Sequence, residues 1–433
     1  MATGGADSGT LDPLDIRGEI AHRASRSLII AAVLLAAGPV IFALTSFESH
    51  YVFRWYRYFS IPIVAMEIGI LIAAAASGFR PLQAFSKISP PAQITALVFL
   101  AGIAVSTTRA VVPNIAAGHL ALTSIHAAVA LTLWDRLTSS WLKGERLLLI
   151  ATGLGAALFA IAAYLLLFSV RDQADFNWIN QGVGGSYMRH LSFYGVVAGG
   201  LGSGLLVTAK NRSVLWMSFA MLLLGTALTA WSGGRGGFGA ILLALVAAAI
   251  LAPFEDRWPK ITIACVAILG GCAVSMLWVP PSHHWGLARI LGSSLTEYDS
   301  LDDFTTGRWA QWRESWRLFL EQPLFGNGEG QNAYISRVTS NWTQPHNFIL
   351  QFLVQWGLVG NCALAFLVGK SLLSAMANLR SSCSTVVPAI CCAVAICGVA
   401  LLDAALFYAY GMITLTICLV CMSVPASIEL REA

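Results

Sequence analysis

Apolar residues are grouped into twelve runs along the chain, and polar connections separate these runs. Each run approaches the roughly 20 residues that an α-helix needs to cross a bilayer. The pattern therefore predicts an all-α polytopic membrane protein with about twelve transmembrane helices. The predicted spans are Ser27–Leu44, Phe59–Ala76, Ala92–Thr108, Ile115–Trp134, Leu147–Val170, His190–Thr208, Val214–Trp231, Phe238–Ala252, Ile261–Val279, Phe348–Val368, Val386–Leu402 and Ala405–Val424.

The connection between the ninth and tenth spans is long and polar, unlike the others. It predicts one large outer loop at residues 280–345, and a loop of this length is usually functional. The chain divides around this loop into further parts, which are a tail at 1–26, spans one to nine at 27–279, spans ten to twelve at 346–424 and a tail at 425–433.

The amino-acid composition also indicates a membrane protein. Of all residues, 57% are hydrophobic and 11% are charged, and the mean hydropathy is +0.71. A soluble domain carries about 25% charged residues, so the composition excludes an ordinary soluble protein. We therefore expect the chain to associate with membrane lipids and not with nucleic acid.

Basic residues predict the orientation. All five lysines fall in the even-numbered connections, on the side of the N-terminus, which makes this side and both termini cytoplasmic by the positive-inside rule. The opposite side has no lysine in its connections, but it has arginines. They are Arg54, Arg57, Arg109, Arg171, Arg189, Arg235, Arg289, Arg308, Arg313, Arg317 and Arg337. A phosphate-rich ligand would explain such a set, because guanidinium groups bind phosphate in a bidentate manner; pairing with nearby carboxylates is the alternative.

His346 is the candidate for acid–base chemistry. It stands at the junction between the polar loop and the helix predicted from Phe348, so a titratable group is held at the membrane surface. A helix N-terminus disfavours the imidazolium form. The ring is therefore expected to be neutral and able to accept a proton near pH 7.

The loop itself contains a predicted amphipathic helix over residues 308–320. Trp309, Trp312 and Trp316 recur at helical spacing and predict an aromatic face at the level of the lipid headgroups. Arg317 has Glu321 at salt-bridge spacing. Arg308 has no carboxylate three or four residues away, and we therefore expect Arg308 to bind the ligand.

Two further arginines lie at outer turns. Arg235 stands in a turn with five glycines, from Trp231 to Gly239, which lets a ligand approach the backbone closely. A tight turn with one snorkelling arginine is the alternative. Arg189, at the outer start of the sixth span, is the third candidate for binding phosphate.

A family resemblance is carried by these residues together. Ser232 to Gly236 and the region from residue 307 to 360 resemble the motifs of the O-antigen ligase and polymerase superfamily. The matching residues of the second region are Gly307-Arg308, Trp312, Gln322-Pro323-Leu324-Phe325-Gly326-Asn327-Gly328, His346-Asn347, Leu350-Gln351 and Gly357-Leu358-Val359-Gly360.

The resemblance implies transfer of a glycan from undecaprenyl pyrophosphate on the periplasmic face of the inner membrane of a Gram-negative bacterium. In O-antigen ligases the acceptor is a sugar hydroxyl of the lipid A–core. His346 matches the family's base, and Arg235 and Arg308 match arginines that bind the donor pyrophosphate. We expect Asn347 to orient the ring or the acceptor. Many relatives have an acidic residue before the glycine that corresponds to Gly357, whereas this chain has Gln355-Trp356 there.

The chemistry can also be argued from the residues. A pyrophosphate on an anomeric carbon is an activated leaving group, so the protein needs to stabilise departing negative charge and to deprotonate the acceptor hydroxyl. Arginines can perform the first task without a metal or cofactor, and Asp299, Asp302 and Asp303 are typical of a solvated loop. A single displacement predicts inversion of the anomeric configuration.

Glu67 and Asp403 keep a second class of function open, because an acid within a span is a functional candidate. The chain could be a transporter or flippase in which Glu67 carries a coupling proton. Within the enzyme class, the alternatives to a ligase are an O-antigen polymerase and a protein O-oligosaccharyltransferase. A polymerase usually has a second sizeable outer loop, whereas the connection from Arg171 to Arg189 is short.

Overall fold

A computed structural model of the chain describes residues 13–46, 61–179, 183, 188–253, 255–282, 284–292, 305, 307–338 and 344–425. All regular secondary structure in these ranges is helical. The α-helices are α1 (Pro13–Ser46), α2 (Ile61–Ala76), α3 (Pro81–Ser86), α4 (Pro90–Thr108), α5 (Pro113–Ser139), α6 (Gly144–Phe168), α7 (Leu191–Val207), α8 (Arg212–Trp231), α9 (Arg235–Leu251), α10 (Arg257–Ser275), α11 (Leu287–Gly292), α12 (Arg308–Glu321), α13 (Asn332–Ile335), α14 (Phe348–Asn378), α15 (Cys383–Ala400) and α16 (Ala409–Ser423). Two 3₁₀ turns, Met188–His190 and Ala405–Phe407, precede α7 and α16.

The prediction of a polytopic all-α membrane protein is confirmed. Within the described ranges, nine helices are long and apolar enough to cross a membrane. Three shorter apolar helices, α2, α9 and α16, stand at the remaining predicted spans. Every predicted span thus corresponds to an apolar helix, although these three are shorter than about 20 residues.

Several sequence-based expectations fall outside the described residues. These are residues 1–12 and 426–433 of the two predicted tails, the arginines Arg54 and Arg57, and the acidic residues Asp299, Asp302 and Asp303 in the predicted outer loop. The rest of the first predicted tail, from Pro13, belongs to α1. The described part of that loop includes the predicted amphipathic helix, which forms α12 over Arg308–Glu321.

Local sequence signals explain where several helices begin. Helices α4 and α5 each have proline in the first turn, where its missing N–H is not needed. The side chain of Asn211 accepts a hydrogen bond from Val214 N (2.9 Å) and caps α8.

Helix α7 forms the centre of the bundle, since every residue from Leu191 to Val207 is buried. It packs against α6, α8, α9 and α15. Small residues allow this close approach: a Cβ on Gly195 would come within 2.6 Å of the carbonyl oxygen of Gly225 on α8. Tight packing therefore fixes the position of α7, and with it the positions of the residues at its two ends.

Helix α14 is broken by a segment that we call the wedge loop, residues 322–331. Asn327 N and Gly328 N donate to Val354 O (2.8 Å) and Gln355 O (3.1 Å). The helical partners of these two carbonyls would be Leu358 N and Val359 N, which instead donate to Pro323 O (2.8 Å) and Leu324 O (3.0 Å).

Gly357 lies at the break and has φ 59° and ψ −164°. A Cβ at this position would come within 2.5 Å of the Leu324 carbonyl group, so only glycine accommodates the wedge loop here. The break at Gly357 divides α14 into two parts. The upper half runs from the start of the helix beside His346 to the break, and the lower half runs from the break to Asn378. The predicted outer loop is therefore partly inserted among the helices.

The lysine-bearing connections meet at one end of the bundle. Lys87 Nζ lies 2.7 Å from Asp135 Oδ1 at the end of α5, and Lys370 Nζ donates to Ser89 Oγ. His346 precedes α14 and therefore lies at the opposite end, where α4 and α8 end and α5 and α9 begin.

Candidate active site

His346 has an uncommon backbone conformation. Its φ is +52°, and it is the sole residue other than glycine with a positive φ among those described. Two neighbouring contacts hold this peptide: His346 Nδ1 lies 3.1 Å from Gln344 O, and Trp312 Nε1 donates to Pro345 O (3.0 Å). Positive φ costs a residue with a side chain on the order of 1–3 kcal/mol, and such strain concentrates at functional sites.

The hydrogen bond to Gln344 indicates which tautomer the neutral ring of His346 adopts. A carbonyl oxygen can only accept, so Nδ1 carries the proton and Nε2 is the unprotonated nitrogen of the neutral ring. Nε2 lies 3.8 Å from Asp403 Oδ1. At this distance the carboxylate acts on the ring mainly through its charge.

Asp403 joins His346 to Arg308. Its second oxygen, Oδ2, lies 3.9 Å from Arg308 Nη2. The three side chains are 17–20% exposed, so they line a partly enclosed surface that a ligand can still reach. Arg308 is the first residue of α12, and Asp403 lies between α15 and α16. Residues that are distant in sequence are thus brought together.

The site lowers the pKa of His346 below its usual 6.5. Burial is the main cause, and the positive charges of Arg308 and Arg189 act in the same direction. Asp403 and the hydrogen bond to Gln344 O act in the opposite direction. The lowered pKa favours the predicted neutral ring, and burial is its main cause.

Asn347 has a structural function that is visible in its bonds. Its Oδ1 accepts from Leu350 N (3.1 Å), which makes Asn347 the N-cap of α14. Its Nδ2 donates to Leu401 O (3.2 Å). Asn347 therefore ties the start of α14 to the connection that carries Asp403, and it orients the site through the backbone.

Arg235 begins α9, and a Cβ on the next residue, Gly236, would lie 3.8 Å from Leu402, the neighbour of Asp403. The turn of Arg235 packs on the start of α7, where a Cβ on Gly234 would come within 2.9 Å of Ser192 Cβ. Arg289 Nη1 donates to Gly233 O and holds the turn from the other side. Among the three predicted arginines, Arg189 and Arg308 act electrostatically on His346, whereas Arg235 lies alongside at the adjoining turn.

Arg189 belongs to the 3₁₀ turn before α7. Ser192 Oγ donates to its carbonyl oxygen (2.6 Å). The next residue, His190, forms a 2.8 Å hydrogen bond through Nε2 with the Tyr408 hydroxyl. This contact joins the start of α7 to the connection between α15 and α16, so both connections are held at one edge of the site.

The arginines and tryptophans of α12 make different contacts. Arg317 Nε and Nη2 donate to the Glu314 carboxylate at 2.8 and 2.7 Å, and Arg317 also pairs with Glu321. The predicted surface pairing of Arg317 is thereby confirmed. Trp309 and Trp316 are exposed, and Trp312 packs against Trp309 while its indole donates to Pro345 O.

Asp403 was not predicted as part of the site. From the sequence it was a candidate for a separate transport function, but it is the carboxylate nearest to His346 in the described structure. Its position at the outer end of a predicted span was the available signal. Sequence alone does not give the pairing, because 56 residues and two spans separate these positions.

Glu67 occupies a different place. Its Oε1 lies 2.7 Å from His126 Nδ1, and both side chains are buried between α2 and α5. This pair lies within the helix bundle and not at the His346 site.

Part of the chain matches a known protein family. Residues 219–365 match the family model described as O-antigen ligase. This segment contains Arg235, Arg308 and His346. No curated protein matches the chain. The family match supports the membership of the chain in the O-antigen ligase and polymerase superfamily.

Proposed function

We propose that the protein is an O-antigen ligase that transfers a glycan from undecaprenyl pyrophosphate to a sugar hydroxyl of lipid A–core. The observation that carries this proposal is the arrangement of His346 Nε2 facing Asp403, with Arg308 on the other oxygen of the same carboxylate. This arrangement brings together a proton acceptor, His346, and a cation, Arg308, and both residues lie in the segment that matches the family.

The transfer begins at the acceptor. His346 Nε2 removes the proton of the acceptor hydroxyl, and the resulting oxygen attacks the anomeric carbon of the donor. A new C–O bond forms as the bond from the same carbon to the pyrophosphate breaks. The attack comes from the face opposite the leaving group, so the configuration inverts. Asp403 stabilises the imidazolium that His346 becomes.

The leaving group is stabilised by guanidinium groups. Arg308 and Arg189 flank the base, and Arg235 extends the positive region along the adjoining turn. Their fixed charges act where negative charge develops on the departing pyrophosphate, which lowers the barrier without a metal or cofactor. In the free protein, Asp403 holds Arg308 near this position.

The site faces the periplasm in this proposal, and both termini are cytoplasmic. Support comes from the lysines, since their connections meet at the end of the bundle away from His346. The positive-inside rule assigns this lysine-bearing end to the cytoplasm. A donor whose glycan is exposed on the outer leaflet of a bacterial inner membrane can then reach His346 directly.

A polymerase or a protein O-oligosaccharyltransferase would use the same donor and differ in acceptor. A deletion strain tests the choice. A ligase predicts core lipopolysaccharide without O-antigen, together with accumulated full-length lipid-linked polymer. Accumulated single repeat units would instead indicate a polymerase. The transporter alternative is tested with purified protein in detergent, because product formed without a gradient is incompatible with transport alone.

The pH dependence of transfer tests the contact between Asp403 and His346. The neutral ring is the active form, so the rate falls as pH decreases through the pKa of His346. Asp403 raises that pKa, and Asp403→Asn should therefore move the acidic decline of kcat/KM to lower pH. We also expect kcat at neutral pH to fall by about tenfold, because a charge close to the imidazolium is lost.

Asp256→Asn is the matched control, because Asp256 pairs with Lys260 at the other end of the bundle. Its profile should follow that of the unmodified protein. An Asp403→Asn profile that keeps its acidic decline at the original pH would contradict the proposed interaction.

A further inference from the structure

The wedge loop is attached to two sides of the bundle. On one side it replaces the helical hydrogen bonds of α14, as described above. On the other side it is attached to α4 and α5: Gly328 N donates to Ser106 Oγ (2.8 Å), and the Gln331 side chain bonds both N and O of Val112 (2.8 and 3.2 Å). The upper half of α14, which begins beside His346, is therefore positioned by this loop.

Glu329 is the buried acid of the wedge loop. It is 6% exposed, and both carboxylate oxygens lie 3.1 Å from Thr123 Oγ1 on α5. It lines a cavity of about 30 Å³ together with His119, His126 and Tyr408. This volume is sufficient for about one or two water molecules. Sequence analysis placed Glu329 in an outer loop, whereas the structure inserts it between helices.

The surroundings of Glu329 favour its neutral form. No salt bridge to Glu329 is formed by the part of the chain that the structure describes. The titratable groups that face it are His119 and His126 on α5 and Tyr408 before α16, and His126 is itself paired with Glu67 of α2. Burial raises the pKa of Glu329 to about 7, while the Trp356 and Thr123 side chains and the charge of His126 oppose this effect.

We propose that Glu329 is a positioning residue for the transfer reaction: its carboxyl group fastens the wedge loop to α5 and thereby fixes the half-helix that begins beside His346. The inference rests on the proposed function, because it assigns a role in the same reaction. Glu329 does not touch the reacting atoms. It acts through the hydrogen bonds from Asn327 and Gly328 to Val354 and Gln355.

The pH dependence has a defined sign. A carboxyl whose pKa is raised by burial favours the folded arrangement while it is protonated, and this contribution is lost as pH rises through the folded-state pKa. The wedge loop is therefore held most firmly below the ordinary carboxyl pKa of 4.5, and the attachment weakens as pH rises from there to about 7. Once the attached carboxyl ionises near pH 7, a negative charge lies in a cavity that lacks a permanently charged partner among the described residues.

The test compares Glu329→Gln with Glu329→Ala in the full-length protein. Glutamine matches the shape of the neutral carboxyl group and should retain most of the kcat. Alanine removes the attachment, and kcat should fall by about 10- to 100-fold because small displacements of a catalytic group have effects of this size. The KM for the lipid-linked donor should change little, since the arginines remain. Glu321→Ala is the control, because Glu321 is an exposed acid just before the wedge loop.

A second readout does not depend on activity. Hydrogen exchange of the Leu358 and Val359 amides reports whether the wedge loop remains bound, and it should accelerate in Glu329→Ala but not in Glu329→Gln. In the unmodified protein, kcat should decline as Glu329 ionises near pH 7, and this decline should be absent in Glu329→Gln. Unchanged kcat and exchange in Glu329→Ala would overturn the inference, as would equal loss of kcat in both variants. If the unmodified protein transfers no glycan, the proposed function fails, while the exchange measurement still tests the attachment.

Discussion

Replacement of His346 by glutamine is expected to lower the rate of glycan transfer by about 10²–10⁴-fold, the usual effect of removing a general base. Glutamine can retain a hydrogen bond to Gln344 O, but its amide cannot usefully accept a proton from the acceptor hydroxyl. His346→Ala should show a similar loss. Both variants should insert normally and still bind the lipid-linked donor through the arginines, so the defect should appear in kcat. Single-turnover transfer with saturating donor would measure it.

His22→Gln provides the matched control, because His22 is an exposed residue of α1 at the lysine-bearing end. It should transfer glycan at the unmodified rate. A well-expressed His346→Gln protein with nearly normal ligation would disprove the assignment of the base and leave acceptor activation to another group.

Arg308→Lys and Arg235→Lys form the second prediction, with expected losses of about tenfold to a hundredfold in kcat/KM. Lysine keeps the positive charge but cannot bind a pyrophosphate in the bidentate manner of guanidinium. A hydrogen bond to a charged group contributes about 1.5–3 kcal/mol, which corresponds to this range. Donor titration and transfer assays would separate weaker binding from a slower reaction.

Arg317→Lys is the internal comparison, since Arg317 belongs to the same helix as Arg308 but pairs with Glu314 and Glu321. A lysine can maintain a partly exposed pair of this kind, which contributes little in any case. We expect nearly full activity. Equal tolerance at positions 308 and 317 would show that Arg308 is another surface arginine.

Much of the fold could be predicted because a membrane span depends on residues that are close together in the sequence. Runs of apolar residues determine where helices can cross a bilayer, and each predicted span has a helical counterpart. The break in α14 could not be predicted in this way. It depends on hydrogen bonds from Asn327 and Gly328, which are distant in sequence from the carbonyls that accept them.

The candidate site was predicted in part for the same reason. His346 and Arg308 stand in polar sequence at a membrane boundary, where titratable and phosphate-binding groups are conspicuous. Asp403 and Glu329 owe their importance to what surrounds them in three dimensions. Asp403 lies at the end of a span and meets His346 only after the helices pack, whereas Glu329 lies in a polar segment that gives no indication of burial.

Because the backbone at His346 is left-handed, selection for stability and selection for activity would favour different residues at this position. A glycine would adopt φ +52° without the steric cost that a side chain brings, so a screen for thermal stability alone would favour replacing this residue. A screen for glycan transfer would retain it. Natural sequences held near a stability threshold keep such costly positions only where activity requires them, and position 346 is therefore a poor place to stabilise this protein.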